Sequence, residues 1–416
     1  MVRLRRMRVP VEDSPAFKHL YQRAVQFCRS GNYCLAADYI IRGLNMHSKH
    51  VPTLLLGQYV GPLIHQEELG VQCSLAISAL AARRNWSSST TEDLLESIPE
   101  LHGVFEEDPT PVGDGELEEL LVKERTTLGE AQHALNGVAL GERSVVVLEN
   151  EQFGRGLFAD KALLAGKVLL TERAVMCQRM RGDVCAQCLQ PTQPSKAVSC
   201  SRCSESYCSE GCRDAALVQY HRCVCQNEDM QSWSAQFVTQ ILTEATDKKS
   251  ARDARAALYM LAVGKVCAMA TVQQEHPLML PSLRQQKGRA QYDPVATLAN
   301  AAISITLANS LRQPQLFLED VLSVFGVLQQ NAVLDVGGLA LFEVISLLNH
   351  SCSPNCQLQG TPSAKQLVAR RDIRAGEQLL VDYNEGLTSS LPYEERKKLF
   401  AERHFQCFCE KCVLKQ

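Results

Sequence analysis

Eight potential metal donors crowd into the 41 residues from Cys185 to Cys225, and no other feature restricts the folding of this 416-residue chain as tightly. Cys185-x2-Cys188 and Cys200-x2-Cys203 are followed by Cys208-x3-Cys212 and His221-x3-Cys225. A two-residue spacer lets two thiolates converge on one ion, and a three-residue spacer sets donors one turn apart on a helix. Eight donors make two tetrahedral zinc sites. The segment is poor in large apolar residues, so metal takes the place of a core. Cys223 is a spare thiol, or replaces Cys225 if the register slips. A third group, Cys407-x-Cys409-x2-Cys412, supplies three thiolates and needs a fourth donor from elsewhere. No charged-then-apolar stretch opens the sequence, so a reduced compartment is expected. There the 18 cysteines read as ligands or core residues rather than disulfides.

Charge narrows the function. Lys and Arg number 43 against 46 Asp and Glu, which lacks the basic excess of a protein held mainly by phosphates. Any nucleic-acid contact would be local, and nucleic acid is not the expected partner. The longest weakly polar stretch, Val295 to Leu311, is interrupted by Asn300, Ser304, Thr306 and Asn309. It falls short of the roughly 18 apolar residues of a bilayer span. It reads as a core helix in a chain with no membrane partner. Arg3, Arg5, Arg6 and Arg8 form either a solvated tail or a targeting arm.

Helical spacing dominates residues 1–86. The stretch Gln26 to Val51 resembles a tetratricopeptide (TPR) unit, with Gly31 and Tyr33 at the inter-helix turn and Ala36 and Ala37 as small contact residues. A weaker copy spans Pro52 to Trp86, with Ala76, Ala79 and Leu80 in similar places. Two repeats leave an apolar face uncovered, so they are expected to dock on a neighbour. A plain helical hairpin and a peptide-binding surface both remain open. Residues 87–142 form an acidic connection. Ser144 to Leu148 and Val168 to Glu172 read as strands with Gly154-Arg155-Gly156 as a tight turn between them. The cysteine module (185–225) and a helical insert (226–335) then interrupt this β region. Strands return over 336–386, including Gln366 to Arg370 and Leu379 to Asp382, and a final helix, Pro392 to Arg403, lies in the closing segment 387–416. The fold class is α+β.

The order of the first eight donors resembles the MYND zinc finger, whose sites interleave. By that likeness Cys185, Cys188, Cys208 and Cys212 hold one ion, and Cys200, Cys203, His221 and Cys225 the other. MYND fingers read protein peptides, sometimes aiding DNA contact. The near balance of Lys196, Arg202, Arg213 and Arg222 against Glu205, Glu210 and Asp214 favours peptide.

Four further segments resemble the SET domain of protein-lysine methyltransferases, and with the finger the SET-and-MYND (SMYD) family. They are Phe153 to Ala159 (FGRGLFA), Asn349 to Asn355 (NHSCSPN), Ile373 to Leu379 with Asp382-Tyr383, and the closing cysteine triplet. The resemblance covers about residues 143 to 413. It implies a short-stranded, pseudoknotted SET β-fold, interrupted by the finger and a helical insert and preceded by the TPR-like helices, as in the family member with N-terminal TPRs. The cofactor implied is S-adenosylmethionine (SAM). Gly154 and Gly156 let backbone approach it, Arg155 reaches its carboxylate, Asn349 and His350 hold adenosine largely through backbone, and Asn331 meets its amino-acid end. Phe405 packs on adenine. Cys352 completes the third zinc site with Cys407, Cys409 and Cys412, making three structural zinc ions in all.

The reaction implied is in-line transfer of a methyl to a deprotonated lysine of a protein substrate, histone or not. Positioning and water exclusion supply the rate, with the amine about 3 Å from the methyl. By the resemblance, Tyr383 matches the tyrosine whose hydroxyl orients that amine and sits beside the transferred methyl, so it is also expected among the residues contacting the cofactor. Where many relatives carry a second channel tyrosine, Arg403 stands here, followed by His404. Either the register shifts to bring His404 in, or the channel is altered. Two readings follow. One is a SAM-dependent protein-lysine N-methyltransferase of nucleus and cytoplasm. The alternative is a catalytically weak or inactive adaptor that recruits peptide partners through the finger and the TPR-like helices.

Overall fold

The computed structural model describes residues 14–84, 98–102, 104, 144–150, 154–193, 195–203, 205–242, 248–280, 283, 301–335, 337–384, 387–401 and 405–415. The chain divides into two compact units, described in turn. The first comprises residues 1–121, 292–309 and 313–321, and the second the remainder.

The first unit is helical: α1 (Pro15–Arg29), α2 (Tyr33–Met46), α3 (Val51–Leu63) and α4 (Glu67–Arg84) are joined by short turns. Ser14 starts α1 by accepting the Phe17 N–H at 3.1 Å, and Pro15 fits the first helical position, where no donor is needed. Gly31, at φ +71°, makes the α1–α2 turn expected of it. The closest contacts of the α3–α4 pair are made at glycines. A Cβ on Gly57 would stand 2.6 Å from Cys73 Sγ, and one on Gly61 2.6 Å from the Gly70 nitrogen, while Ala79 is exposed. Glycines, which carry no methyl, let these helices approach more closely than alanines can.

The neighbour on which the repeats dock within this unit is formed by residues 301–309 and 313–321. Asp38, fully buried on α2, accepts Arg42 Nε at 3.0 Å, the Ser304 hydroxyl at 3.0 Å and the Leu318 N–H at 2.8 Å. Tyr39 stacks on Phe317 at 4.9 Å and donates to Glu319 Oε1. Within Val295–Leu311 the structure describes the helix Ala301–Ser310.

The second unit carries the strands. β1 (Val145–Asn150) pairs antiparallel with β2 (Gly154–Ala159), so Gly154-Arg155-Gly156 opens a strand instead of forming a turn. The two glycines read as a turn in sequence, yet only Gly154 needs a special conformation, at φ +65°. β3 (Val168–Arg173) joins β11 (Ala364–Ala369) and β10 (Cys356–Thr361). β4 (Met176–Arg179) joins β8 (Gly338–Leu341) and β7 (Val333–Asp335). β9 (Asn349–His350) runs parallel to β12 (Leu380–Val381). Leu157, Leu169, Phe342, Val344, Leu367 and Leu379 are among the buried residues of this core. β5 (Val198–Ser199), β6 (Ser206–Tyr207) and the helix α5 (Glu210–Ala216) make the finger. The helices α6 (Glu228–Leu242) and α7 (Lys248–Gln273) follow it.

Residues Ala254–Gln273 of α7 are long and apolar enough to cross a membrane, but 72% of that window is buried in the protein, as in a core helix. Lys265 is buried within this helix and its charge is partnered there. Its ammonium donates to the carbonyls of Cys177 at 2.6 Å and Ala186 at 2.8 Å and lies 4.1 Å from the Tyr220 ring centre, pinning β4 and the finger to α7. Burial pushes Lys265 down from 10.5 to about 8, with Glu205 opposing that shift and Arg179 adding to it. Between those values the unfolded chain holds the proton that the folded one releases, so this group adds stability as pH rises from 8 to 10.5. The unfolding free energy of the wild type relative to Lys265→Met is expected to grow across that window, by on the order of 3 kcal/mol, in urea titrations at matched pH.

Candidate active site and metal centres

The twelve metal donors predicted from sequence fall into three groups of four, with the donor atoms of each group within 4.8 Å of one another: Cys185, Cys188, Cys208 and Cys212; Cys200, Cys203, His221 and Cys225; Cys352, Cys407, Cys409 and Cys412. Tetrahedral zinc with bonds of about 2.3 Å requires ligand atoms about 3.8 Å apart. Here Cys188 and Cys208 are 3.5 Å apart, Cys200 and Cys225 3.7 Å, and Cys352 and Cys407 3.9 Å. These separations fit a shared ion and are far too long for disulfides, whose sulfurs stand about 2 Å apart. Cys223 stays outside the second group. One of the two three-residue spacers works otherwise than expected: Cys208 precedes the helix cap Ser209, whereas His221 and Cys225 flank the single helical turn Arg222–Val224, the Cys225 N–H donating to the His221 carbonyl at 2.8 Å. Of the remaining cysteines, Cys28, Cys73, Cys177, Cys267 and Cys356 are buried packing residues, while Cys34 and Cys223 are half-buried; burial pushes Cys28, Cys177 and Cys356 up to about 12.

The third group is more than a staple for the chain's end. Arg396, fully buried on the helix Tyr393–Ala401, brings Nη2 to 3.8 Å from Cys412 Sγ, and His350 Nε2 stands 3.4 Å from Cys352 Sγ. Four thiolates around a divalent ion leave two net negative charges, and these donors offset them.

From Cys352 the chain runs back into the predicted cofactor residues. Asn349 donates through Nδ2 to the Arg155 carbonyl at 3.0 Å, tying β9 to β2. A Cβ on Gly156 would stand 2.4 Å from Gln378 Nε2 and 3.0 Å from Asn349 Nδ2, so that glycine makes room for two amides of its own protein. A Cβ on Gly154 would meet no described atom within 4 Å, which leaves the head of β2 open to a ligand. Asn331 ends the helix Leu318–Asn331. Its amide donates to the Val327 carbonyl, and its own carbonyl accepts the Ser346 hydroxyl at 2.9 Å.

Tyr383 is 36% exposed and donates its hydroxyl proton to the Leu348 carbonyl at 2.7 Å. Its ring lies 5.2 Å from His350 and 5.8 Å from Phe405, and Phe405 lies 5.7 Å from His350. An open strand head, convergent amides and a cluster of aromatic faces fit the polar and planar parts of SAM. Phe153, Arg403 and His404 lie outside the described residues, so the second channel position is not part of this geometry.

Sequence reasoning passed over the element that holds these pieces. Glu172 is buried in β3 and accepts the N–H groups of Glu343 (2.6 Å), Val344 (3.0 Å) and Ile345 (2.8 Å), the turn that leads to Ser346, Leu348 and Asn349. Burial pushes its carboxyl up, against those three hydrogen bonds. Alternation in β3 carried the signal, because Glu172 shares its inward phase with Leu170.

A match to the SET domain family covers residues 154–384. Histone-lysine N-methyltransferase SMYD3 of Mus musculus is 27% identical over 268 residues, covering 62% of this chain and 59% of its own. SET domain and MYND-type zinc finger protein 6 of Schizosaccharomyces pombe is 25% identical over 274 residues, 63% of this chain and 50% of its own. Protein-lysine N-trimethyltransferase SMYD5 of Gallus gallus is 22% identical over 352 residues, 62% of this chain and 83% of its own. The chain thus spans about half the length of the first two relatives.

Proposed function

This chain belongs to the SET domain family, and from that premise we propose that it is a SAM-dependent protein-lysine N-methyltransferase with three structural zinc ions. The observation that carries the reading is the Tyr383 hydroxyl, held by the Leu348 carbonyl one residue before Asn349. Its proton is committed to that carbonyl, so the phenol oxygen accepts a hydrogen bond from an arriving neutral lysine amine. That bond turns the amine lone pair away from the ring. Bound SAM supplies an electrophilic methyl on a sulfonium. Asn349, His350 and the backbone of Gly154 to Gly156 hold it, with Phe405 against adenine. Desolvation of the amine when the substrate seats against Tyr383 favours the uncharged form over the ammonium.

The finger, held by two of the ions, presents a surface for protein peptides, and the TPR-like helices are a second surface for peptide partners. Calorimetric titration with SAM tests the cofactor assignment. Stoichiometric binding that Asn349→Ala weakens is expected; a flat titration of metal-loaded protein would leave only the adaptor role.

A further inference from the structure

The imidazole of His350 has both ring edges committed. Nδ1 accepts the Tyr383 backbone N–H at 3.1 Å, and Nε2 lies 3.4 Å from Cys352 Sγ. A backbone N–H only donates, so Nδ1 bears no proton, and the ring hydrogen sits on Nε2, aimed at sulfur. Asp382 Oδ1 stands 3.8 Å from Nδ1, beyond hydrogen-bond reach, and accepts the Asn384 N–H instead. The side chain is 1% exposed and packs against Phe400 at 4.7 Å as well as Tyr383 and Phe405. The ring therefore turns away from the adenosine role that its backbone serves and spans the gap between a metal-binding sulfur and the tyrosine.

We infer that His350 is a positioning residue, a strap through which the fourth sulfur of the closing cysteine group fixes the main chain of Tyr383. The inference rests on the proposed methyl-transfer reading only for its consequence, since the strap itself is a matter of geometry. Ion binding orders Cys352, the Nε2–H bond orients the ring, and Nδ1 then holds the Tyr383 amide so that its hydroxyl meets Leu348. Hydrogen bonds to metal-bound thiolates tune and orient the ligand in this manner.

The test uses the full chain loaded with cadmium-113 and followed by NMR. The three donor sets predict two all-sulfur resonances and one with a histidine nitrogen. His350→Leu is expected to move one all-sulfur resonance alone and to speed exchange of the Tyr383 amide proton about fivefold to tenfold, the worth of one hydrogen bond. His350→Asn offers an acceptor near the Nδ1 position but no donor to sulfur. It should move the same cadmium resonance while the Tyr383 amide stays protected, and it serves if the leucine variant does not fold. Unmoved cadmium resonances in both variants, or an unchanged Tyr383 amide in His350→Leu, would overturn the strap. Should the wild type transfer no methyl, the proposed activity fails while the cadmium and amide signals still judge His350.

Discussion

Tyr383→Phe is expected to slow methyl transfer by about a hundredfold to a thousandfold, the usual scale for removing one preorganised hydrogen-bonding group from a reacting centre. SAM affinity should stay at the wild-type value. The variant keeps the ring that packs between His350 and Phe405 and loses only the oxygen held at 2.7 Å from the Leu348 carbonyl. Binding of the cofactor rests on the other residues of the site, so kcat falls and cofactor Kd does not. Single-turnover transfer and calorimetry on the same preparation check both halves. A variant with full activity would remove Tyr383 from the chemistry.

Cys352→Ser is expected to lower metal content from three ions to two and to weaken SAM binding by about tenfold to a hundredfold. The reason is sequence proximity turned into structure. Cys352 lies two residues beyond His350, and β9, which carries Asn349 and His350, is only two residues long and paired with an equally short β12. Without the fourth thiolate, that strand keeps the Asn349–Arg155 bond, the Ser351–Val381 main-chain bond and the His350 ring but loses its covalent tie to the ion. Cys188→Ser should likewise lose one ion but leave SAM affinity unchanged, because its group belongs to the finger. Metal analysis beside calorimetry separates the two; equal loss of SAM binding in both variants would mean that zinc merely maintains the fold.

Local chemistry made the metal groups legible in sequence. Donor spacing alone marked eight ligands, and the likeness of the NHSC segment to a SET motif supplied Cys352 as the fourth donor of the closing group. What stayed hidden depends on partners brought together by folding. The Asp38–Ser304 bond joins residues 266 positions apart, and the His350–Tyr383 bond residues 33 apart. Gly154-Arg155-Gly156 was misread as a turn because composition reports the freedom of glycine, not whether a strand partner such as Leu148 is waiting across from Gly156. Within the expected helical insert, the apolar length of Ala254–Gln273 was missed for a similar reason. Lys265 breaks the apolar run in sequence, while in the fold two carbonyls and a tyrosine ring make its burial tolerable.

The central claim is that this site moves a methyl from SAM to lysine. The most direct measurement incubates metal-loaded protein with methyl-labelled SAM and a cell extract, then locates the label by tandem mass spectrometry, with Tyr383→Phe run in parallel. Label on the side-chain nitrogen of lysine in discrete proteins, lost in the variant, is the predicted result. SAM binding without label on any lysine would contradict the account and make the chain a binding scaffold.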